Sequence, residues 1–330
     1  KNLKVVNKTG HMSIDTIDRG LEAIEDYLLS AVTSDVAVLQ DASAHILTSG
    51  GKRIRPQMSF LAYMAAGGEN LDEVVPVASA VEMVHTATLV HDDINDHSLT
   101  RRGKATVHSV WGRTFALLTG DYLFTKVYEL MAPYGAEYNI VMANACSRLV
   151  EGETLQATAA KAGTIDRETY KSIISLKTAS LFEAAARMGA QLATSDADII
   201  ENLATYAYNL GLTFQIVDDI LDIIGDPEEM GKPVGTDLLQ GRGVMAVNNG
   251  PVLVDGDGTS PAIVETVTQE PVDPIKQMMS GLRESGAVEI ARLQAEEMGR
   301  RAKVALENVP PSEARTELFE LVDLVLRRHK

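Results

Sequence analysis

Cysteine is almost missing from this 330-residue chain, where Cys146 stands alone. That excludes an intramolecular disulfide and any multi-cysteine metal site, and it suits a reducing, cytoplasmic setting. Basic residues are outnumbered, with 30 Lys and Arg against 46 Asp and Glu, for a net charge of −16. Such a surface repels nucleic acid and anionic membranes, because both are polyanions. A small anion held in a local basic pocket is still allowed. Long apolar runs are also lacking. A membrane span needs roughly 18 apolar residues, and the best stretch, Val74–Val90, is broken by Glu82 and His85. No signal-peptide core stands near the start. Lys1–Met12 is polar and basic, and Gly10-His11-Met12 reads as a cloning remnant, so 13–330 is expected to form a single domain.

What is present is helical periodicity. The 45% hydrophobic content is enough for a sizeable core. Ile14, Ile17, Leu21, Ile24 and Leu28 follow the spacing of one helix face, and Val36, Leu39, Ala42 and Ile46 repeat it. Gly50-Gly51 then stops that helix. Further helices are predicted at Met58–Ala66, Leu71–Ile94, Val110–Met131, Tyr138–Ala160, Arg167–Leu192, Ala197–Ile224, Pro274–Ser285, Val288–Leu306 and Ser312–Arg328. Runs of short alternating strands are missing, so the expected fold is an all-α bundle of long helices. Gly241–Pro274 departs from this, with Gly, Pro and Asn248-Asn249-Gly250 marking turns.

Two acidic clusters carry the chemistry. His91-Asp92-Asp93-Ile94-Asn95-Asp96 and Val217-Asp218-Asp219-Ile220-Leu221-Asp222 both read D-D-x-x-D late in an apolar helix. Asp92 and Asp96 are i and i+4, so their carboxylates leave one face about 6 Å apart along the axis. Asp218 and Asp222 repeat the geometry. Like charges at this spacing cost a few tenths of a kcal/mol, and anions late in a helix oppose its dipole. Bound cations would offset both costs. Hard carboxylate oxygens suit Mg²⁺, which keeps several waters and completes its shell with substrate phosphate.

Basic residues gather in short segments. Gly50-Gly51-Lys52-Arg53-Ile54-Arg55-Pro56 sets three cations in a glycine turn before a helix, where backbone amides and the helix N-terminus also favour an anion. Thr100-Arg101-Arg102-Gly103-Lys104 follows Asp96 closely. Arginine offers phosphate a planar fork and lysine a point charge. Lys177-Thr178 and Gly231-Lys232-Pro233 add two more cations.

Together these segments resemble the trans-isoprenyl diphosphate synthase, or polyprenyl synthetase, family. The resemblance rests on G-G-K-R-I-R-P at 50–56, H-T-A-T-L-V-H-D-D-I-N-D at 85–96, R-R-G at 101–103, G-D at 120–121, K-T at 177–178, F-Q-I-V-D-D-I-L-D at 214–222 and G-K-P at 231–233, in the family's order. It implies an all-α isoprenoid-synthase fold, a homodimer, and head-to-tail condensation of isopentenyl diphosphate with an allylic diphosphate such as the dimethylallyl, geranyl, farnesyl or geranylgeranyl ester. Three Mg²⁺ ions with substrate bound are implied too. Asp92, Asp96 and Asp218 would ligate them directly, with Asp93, Asp219 and Asp222 acting through waters or as support. Arg101, Lys177 and Lys232 would hold the allylic diphosphate. Lys52, Arg55, His85 and Arg102 would hold isopentenyl diphosphate. Thr178 and Gln215 would line the cation path, and Phe214 would pack on the isoprenoid.

Product length is read from the first acidic helix, where Thr88, Val84 and Val81 precede Asp92 on one face and Ala87 sits beside Thr88. No aromatic closes the pocket at 87 or 88, so a product longer than farnesyl and beyond geranylgeranyl is expected, of medium or long chain, with Tyr122, Phe124 and Tyr128 on a later helix as the alternative floor. The chain departs from the family pattern at Gly243–Gly258, and a loop or hairpin insertion is expected near 241–262. A class I terpene cyclase would also ionise a diphosphate with Mg²⁺, but needs neither Lys52 and Arg55 nor a second D-D-x-x-D. A non-catalytic regulatory subunit would tend to lose aspartates, and all six are kept here.

Overall fold

The apolar periodicities become helices in the structure, a computed structural model that describes residues 12–162, 166–224 and 286–328. In chain order these are α1 Met12–Ala31, α2 Ala37–Leu47, α3 Ile54–Ala65, α4 Val75–Asn95, α5 Val107–Trp111, α6 Arg113–Met131, α7 Ala136–Ala162, α8 Arg167–Ile174, α9 Ser180–Ala193, α10 Ala197–Ile224, α11 Ala287–Leu306 and α12 Glu313–Leu326. Several ends are set by side chains satisfying free backbone amides. Asp166 accepts from Thr169 N at 2.7 Å to start α8, and Ser312 accepts from Arg315 N at 3.1 Å to start α12. The predicted helix at Pro274–Ser285 and the expected insertion near 241–262 lie outside the described residues.

Three predicted spans need revision, and one element is new. Leu71–Ile94 divides into a 3₁₀ turn at Leu71–Glu73 and α4, because Pro76 seeds a fresh first turn. Val110–Met131 divides at Gly112, whose φ of 86° ends α5 before α6 begins. Arg167–Leu192 is interrupted by a π turn at Ser175–Ala179, which joins α8 to α9. The new element is a small strand pair between α4 and α5, the only one among the described residues. Thr100 pairs with Ala105 and Arg101 with Lys104, antiparallel, around a turn in which Arg102 and Gly103 have φ of 52° and 77°. Two central residues with positive φ match the right-handed twist of a two-residue hairpin.

The core is one contiguous cluster reaching from α1 to α12, with Phe60, Phe182 and Tyr206 among its largest buried side chains. Helix α4 packs mainly on α6, α3 on α9, and α10 on α9 and α11. α11 offers α10 a small-residue stripe of Ala287, Ala291, Ala295 and Ala302, all buried. Two glycines allow close approach to the π turn. A Cβ on Gly152 of α7 would lie 2.7 Å from the backbone N of Lys177, and one on Gly211 of α10 would lie 2.9 Å from Ala179 Cα. The π turn is therefore gripped at backbone contact from both sides.

Candidate active site

Asp92, Asp93 and Asp96 sit at the last turn of α4, with Asp96 as its C-cap. Their surroundings differ. Asp93 is buried and accepts from Arg101 Nε at 2.9 and 3.0 Å, while Arg101 Nη2 pairs with it at 2.8 Å. Burial nevertheless raises the Asp93 pKa above the usual carboxylate value, against the opposing pull of Arg101. Asp92 is partly exposed and, among the described residues, pairs with the looser Lys177 Nζ at 3.7 Å. Lys177 also pairs with Glu153 of α7.

The second cluster lies near the end of α10. Asp218 is partly exposed and faces Arg328 Nη2 at 3.3 Å. Asp219 is buried, and both its oxygens accept: Oδ2 from Tyr170 Oη at 2.7 Å and Oδ1 from Gln215 Nε2 at 2.9 Å. Asp222 is buried as well. The first motif thus has one sequestered carboxylate beside two partly exposed ones, and the second has two sequestered carboxylates beside one partly exposed one. Thr178, on the π turn, donates to Gln215 Oε1 at 2.8 Å. π turns recur at functional sites because the extra residue re-aims the side chains that follow.

Cations crowd the space between α3, α4 and the hairpin. Arg55 stacks on Phe182 with its guanidinium carbon 4.9 Å from the ring centre, and Lys52 Nζ lies 6.0 Å from that of Phe214. Burial drives the Arg55 pKa down to about 10. Lys52 is lowered by burial and then by Arg328, and Arg102 is lowered chiefly by burial, with Arg53 and Arg101 adding to the effect. Burial also pushes His85 well below its ordinary value, and Arg55, Arg102, Arg101 and Arg53 push it further. Positive groups that destabilise one another in a partly desolvated space form a site prepared for an anion.

Three side chains that look equivalent in sequence separate here. Arg53 is a buried structural ion, bonded to Glu25 Oε1 and Glu82 Oε1 at 2.6 Å each and to the Leu47 carbonyl at 2.8 Å. Its φ of 48° at the N-cap of α3 turns it away from its neighbours Lys52 and Arg55. Arg102 Nη1 donates to the Gly50 carbonyl, and a Cβ on Gly51 would come 2.7 Å from the same nitrogen. Lys104 Nζ donates to the Thr48 carbonyl at 2.9 Å, docking the hairpin on the end of α2.

Arg328 is a site residue that the sequence reading missed. It follows α12, yet its side chain is 5% exposed and stacks 4.9 Å from the Phe214 ring centre beside Asp218. Its Nε and Nη1 are buried without a hydrogen-bond partner among the described residues. The basic C-terminus carried no motif, and only the packing of α12 brings it to α10. Of the proposed length-determining residues, Val81, Val84 and Ala87 are fully buried, and Thr88 is half-buried with its hydroxyl on the His85 carbonyl at 2.7 Å. Lys232 lies outside the described residues.

Among the described residues no three His, Cys, Asp or Glu side chains form a ready-made metal cage. A hydrated divalent cation that shares its shell with phosphate needs few protein ligands. Asp92 and Asp218 fit that requirement. Each presents a hard oxygen to solvent, and each is balanced at 3.7 or 3.3 Å rather than clamped like Asp93.

Comparison with known proteins gives a consistent result. The profile of the polyprenyl synthetase family matches residues 36–250. An octaprenyl diphosphate synthase of Escherichia coli (strain K12) is 33% identical over 309 residues, covering 92% of this chain and 94% of its own length. A geranylgeranyl diphosphate synthase of Saccharolobus solfataricus is 38% identical over 66% of this chain and 67% of its own. Among solved structures, a polyprenyl synthase from Caulobacter crescentus CB15, complexed with calcium and isoprenyl diphosphate, superposes with a TM-score of 0.85. It shares 31% identity and covers 98% of this chain and 100% of its own.

Proposed function

The chain belongs to the polyprenyl synthetase family and is a prenyltransferase, and from that premise we propose how its residues divide the work of joining isopentenyl diphosphate head to tail to an allylic diphosphate. The observation that carries this division is the set Lys52, Arg55, His85 and Arg102, each lowered first by burial and then by neighbouring positive charge, opposite two aspartate clusters. One group of cations suits a diphosphate bound directly, and the paired aspartates suit a diphosphate bound through metal. Isopentenyl diphosphate is assigned to the first and the allylic ester to the second.

Asp92, Asp96 and Asp218 would hold Mg²⁺, three ions with substrate present, while Asp93, Asp219 and Asp222 support them. When bound, Mg²⁺ neutralises the leaving diphosphate and lowers the barrier to ionisation of the allylic C–O bond. Lys177, Arg101 and Lys232 add charge to the same diphosphate. Arg101 does so while keeping its bonds to Asp93, which fixes the guanidinium's direction. Thr178 and Gln215 face the carbon that becomes positive, and Phe214 packs on the hydrocarbon. The isopentenyl double bond then attacks, and the proton lost from it passes to the released diphosphate. Neutral His85 serves as a hydrogen-bond donor to isopentenyl diphosphate. Packing of Phe182 and Phe214 under Arg55 and Lys52 keeps water from the cation.

The small side chains at Ala87 and Thr88 support a product longer than farnesyl, and the protein is read as a cytoplasmic homodimer. Purified protein incubated with Mg²⁺, isopentenyl diphosphate and a series of allylic primers should give all-trans polyprenyl diphosphates, sized by chromatography. Asp92→Ala should abolish turnover with little change in melting temperature. Hydrocarbon formed without isopentenyl diphosphate would point instead to a cyclase.

A further inference from the structure

Tyr170 lies outside both acidic motifs and every basic segment, yet it closes a polar chain that ends at the reaction path. Its hydroxyl donates to Asp219 Oδ2 at 2.7 Å. Gln215 Nε2 donates to Asp219 Oδ1 at 2.9 Å, and Thr178 Oγ1 donates to Gln215 Oε1 at 2.8 Å. Tyr170, Thr178 and Asp219 are each at most 5% exposed.

The direction of this chain follows from chemistry. A carboxylate only accepts, so the Gln215 amide must turn its NH₂ to Asp219 and its oxygen to Thr178. An amide oxygen only accepts, so the Thr178 proton is committed to Gln215. Only the lone pairs of the Thr178 oxygen remain to face outward. Each link points its negative end away from Asp219, and in a buried setting such links strengthen one another.

Helix geometry explains why Tyr170 is in reach. Eight residues separate it from Thr178, which in a regular α-helix would set them about 80° apart. The π turn at Ser175–Ala179 takes up one extra residue. Thr178 therefore falls where a seventh residue would, within about 20° of Tyr170. Both then meet α10, at residues 215 and 219, which are themselves one turn apart.

We propose that Tyr170 is a positioning residue that holds Asp219 so that the Gln215 amide and the Thr178 hydroxyl present lone pairs, and no proton, to the developing allylic cation. This rests on the prenyl transfer proposed above. The test is a kinetic cycle of wild type, Tyr170→Phe, Thr178→Val and the double variant, with isopentenyl diphosphate and one allylic primer. Tyr170→Phe should lower kcat roughly tenfold, the loss of one hydrogen bond to a charged group, with KM for isopentenyl diphosphate unchanged. In the Thr178→Val background it should cost nothing further. A purely structural role predicts independent losses in the two backgrounds, or a raised KM, and either result overturns the proposal. If Tyr170→Phe fails to fold, Tyr170→His, whose shorter ring keeps a polar group there without reaching Asp219 Oδ2, replaces it in the cycle, with the same split expected. An inactive wild type would overturn the prenyl-transfer reading and the relay with it, whereas an active wild type with additive losses overturns the relay alone.

Discussion

At the residue scale, burial decides which of several identical side chains stay available. Asp93 and Asp219 are adjacent to Asp92 and Asp218, yet a helix turns 100° per residue and carries the second aspartate inward. There Arg101 and the Tyr170–Gln215 pair take up its oxygens. Arg53 and Arg55 part in the same way, one neutralised by Glu25 and Glu82, the other stacked on Phe182. His85 gives a measurable consequence. Its folded pKa is held well below 6.5, so below pH 6.5 the unfolded chain takes up a proton that the folded chain refuses. Stability should therefore fall as pH drops through 6.5, with a slope approaching about 1.4 kcal/mol per pH unit from this group. Urea denaturation between pH 5 and 8 (at constant ionic strength) measures it, and His85→Asn should remove that component of the slope.

At the scale of elements, the π turn links packing to chemistry. It carries Lys177 toward Asp92 and Glu153, and Thr178 toward Gln215. Gly152 and Gly211 let α7 and α10 close on its backbone. Gly152→Ala would push a methyl against the Lys177 amide at 2.7 Å, and backbone cannot swing aside as a long side chain can. Overpacking of this kind costs about 1–3 kcal/mol. Turnover should suffer more than stability, because a shift near 1 Å at a reacting group can cost about 100-fold. Parallel measurement of kcat and melting temperature separates the two effects; equal, modest changes would mean that the turn tolerates the displacement.

For the whole molecule, the telling feature is the apolar surface left open on α6 and α7. Phe115, Leu117, Leu118 and Tyr128 of α6 are 43, 51, 47 and 75% exposed, and Ile140 and Val150 of α7 are 59 and 60% exposed. The opposite face of α6 is buried against α4 and carries Ala116, Leu123, Val127 and Met131. Exposed apolar patches of this kind mark association. A second copy is the occupant that the proposed homodimer supplies. Leu118→Asp should convert the dimer to monomer in light scattering, with helical content retained. No helix among the described residues is long and apolar enough to cross a membrane.

Most helix positions, the two aspartate clusters and the basic turn were legible in the linear chain, because they are local patterns of spacing that do not depend on distant partners. The distant partners that they meet were not. Arg328 lies more than a hundred residues from Asp218, Tyr170 belongs to no motif, and Glu25 and Glu82 neutralise Arg53 from two other helices. Spacing determined which residues were available for the reaction. Tertiary packing decided which of them keep an open charge, since burial and the groups met across helix contacts set the cost of every ion.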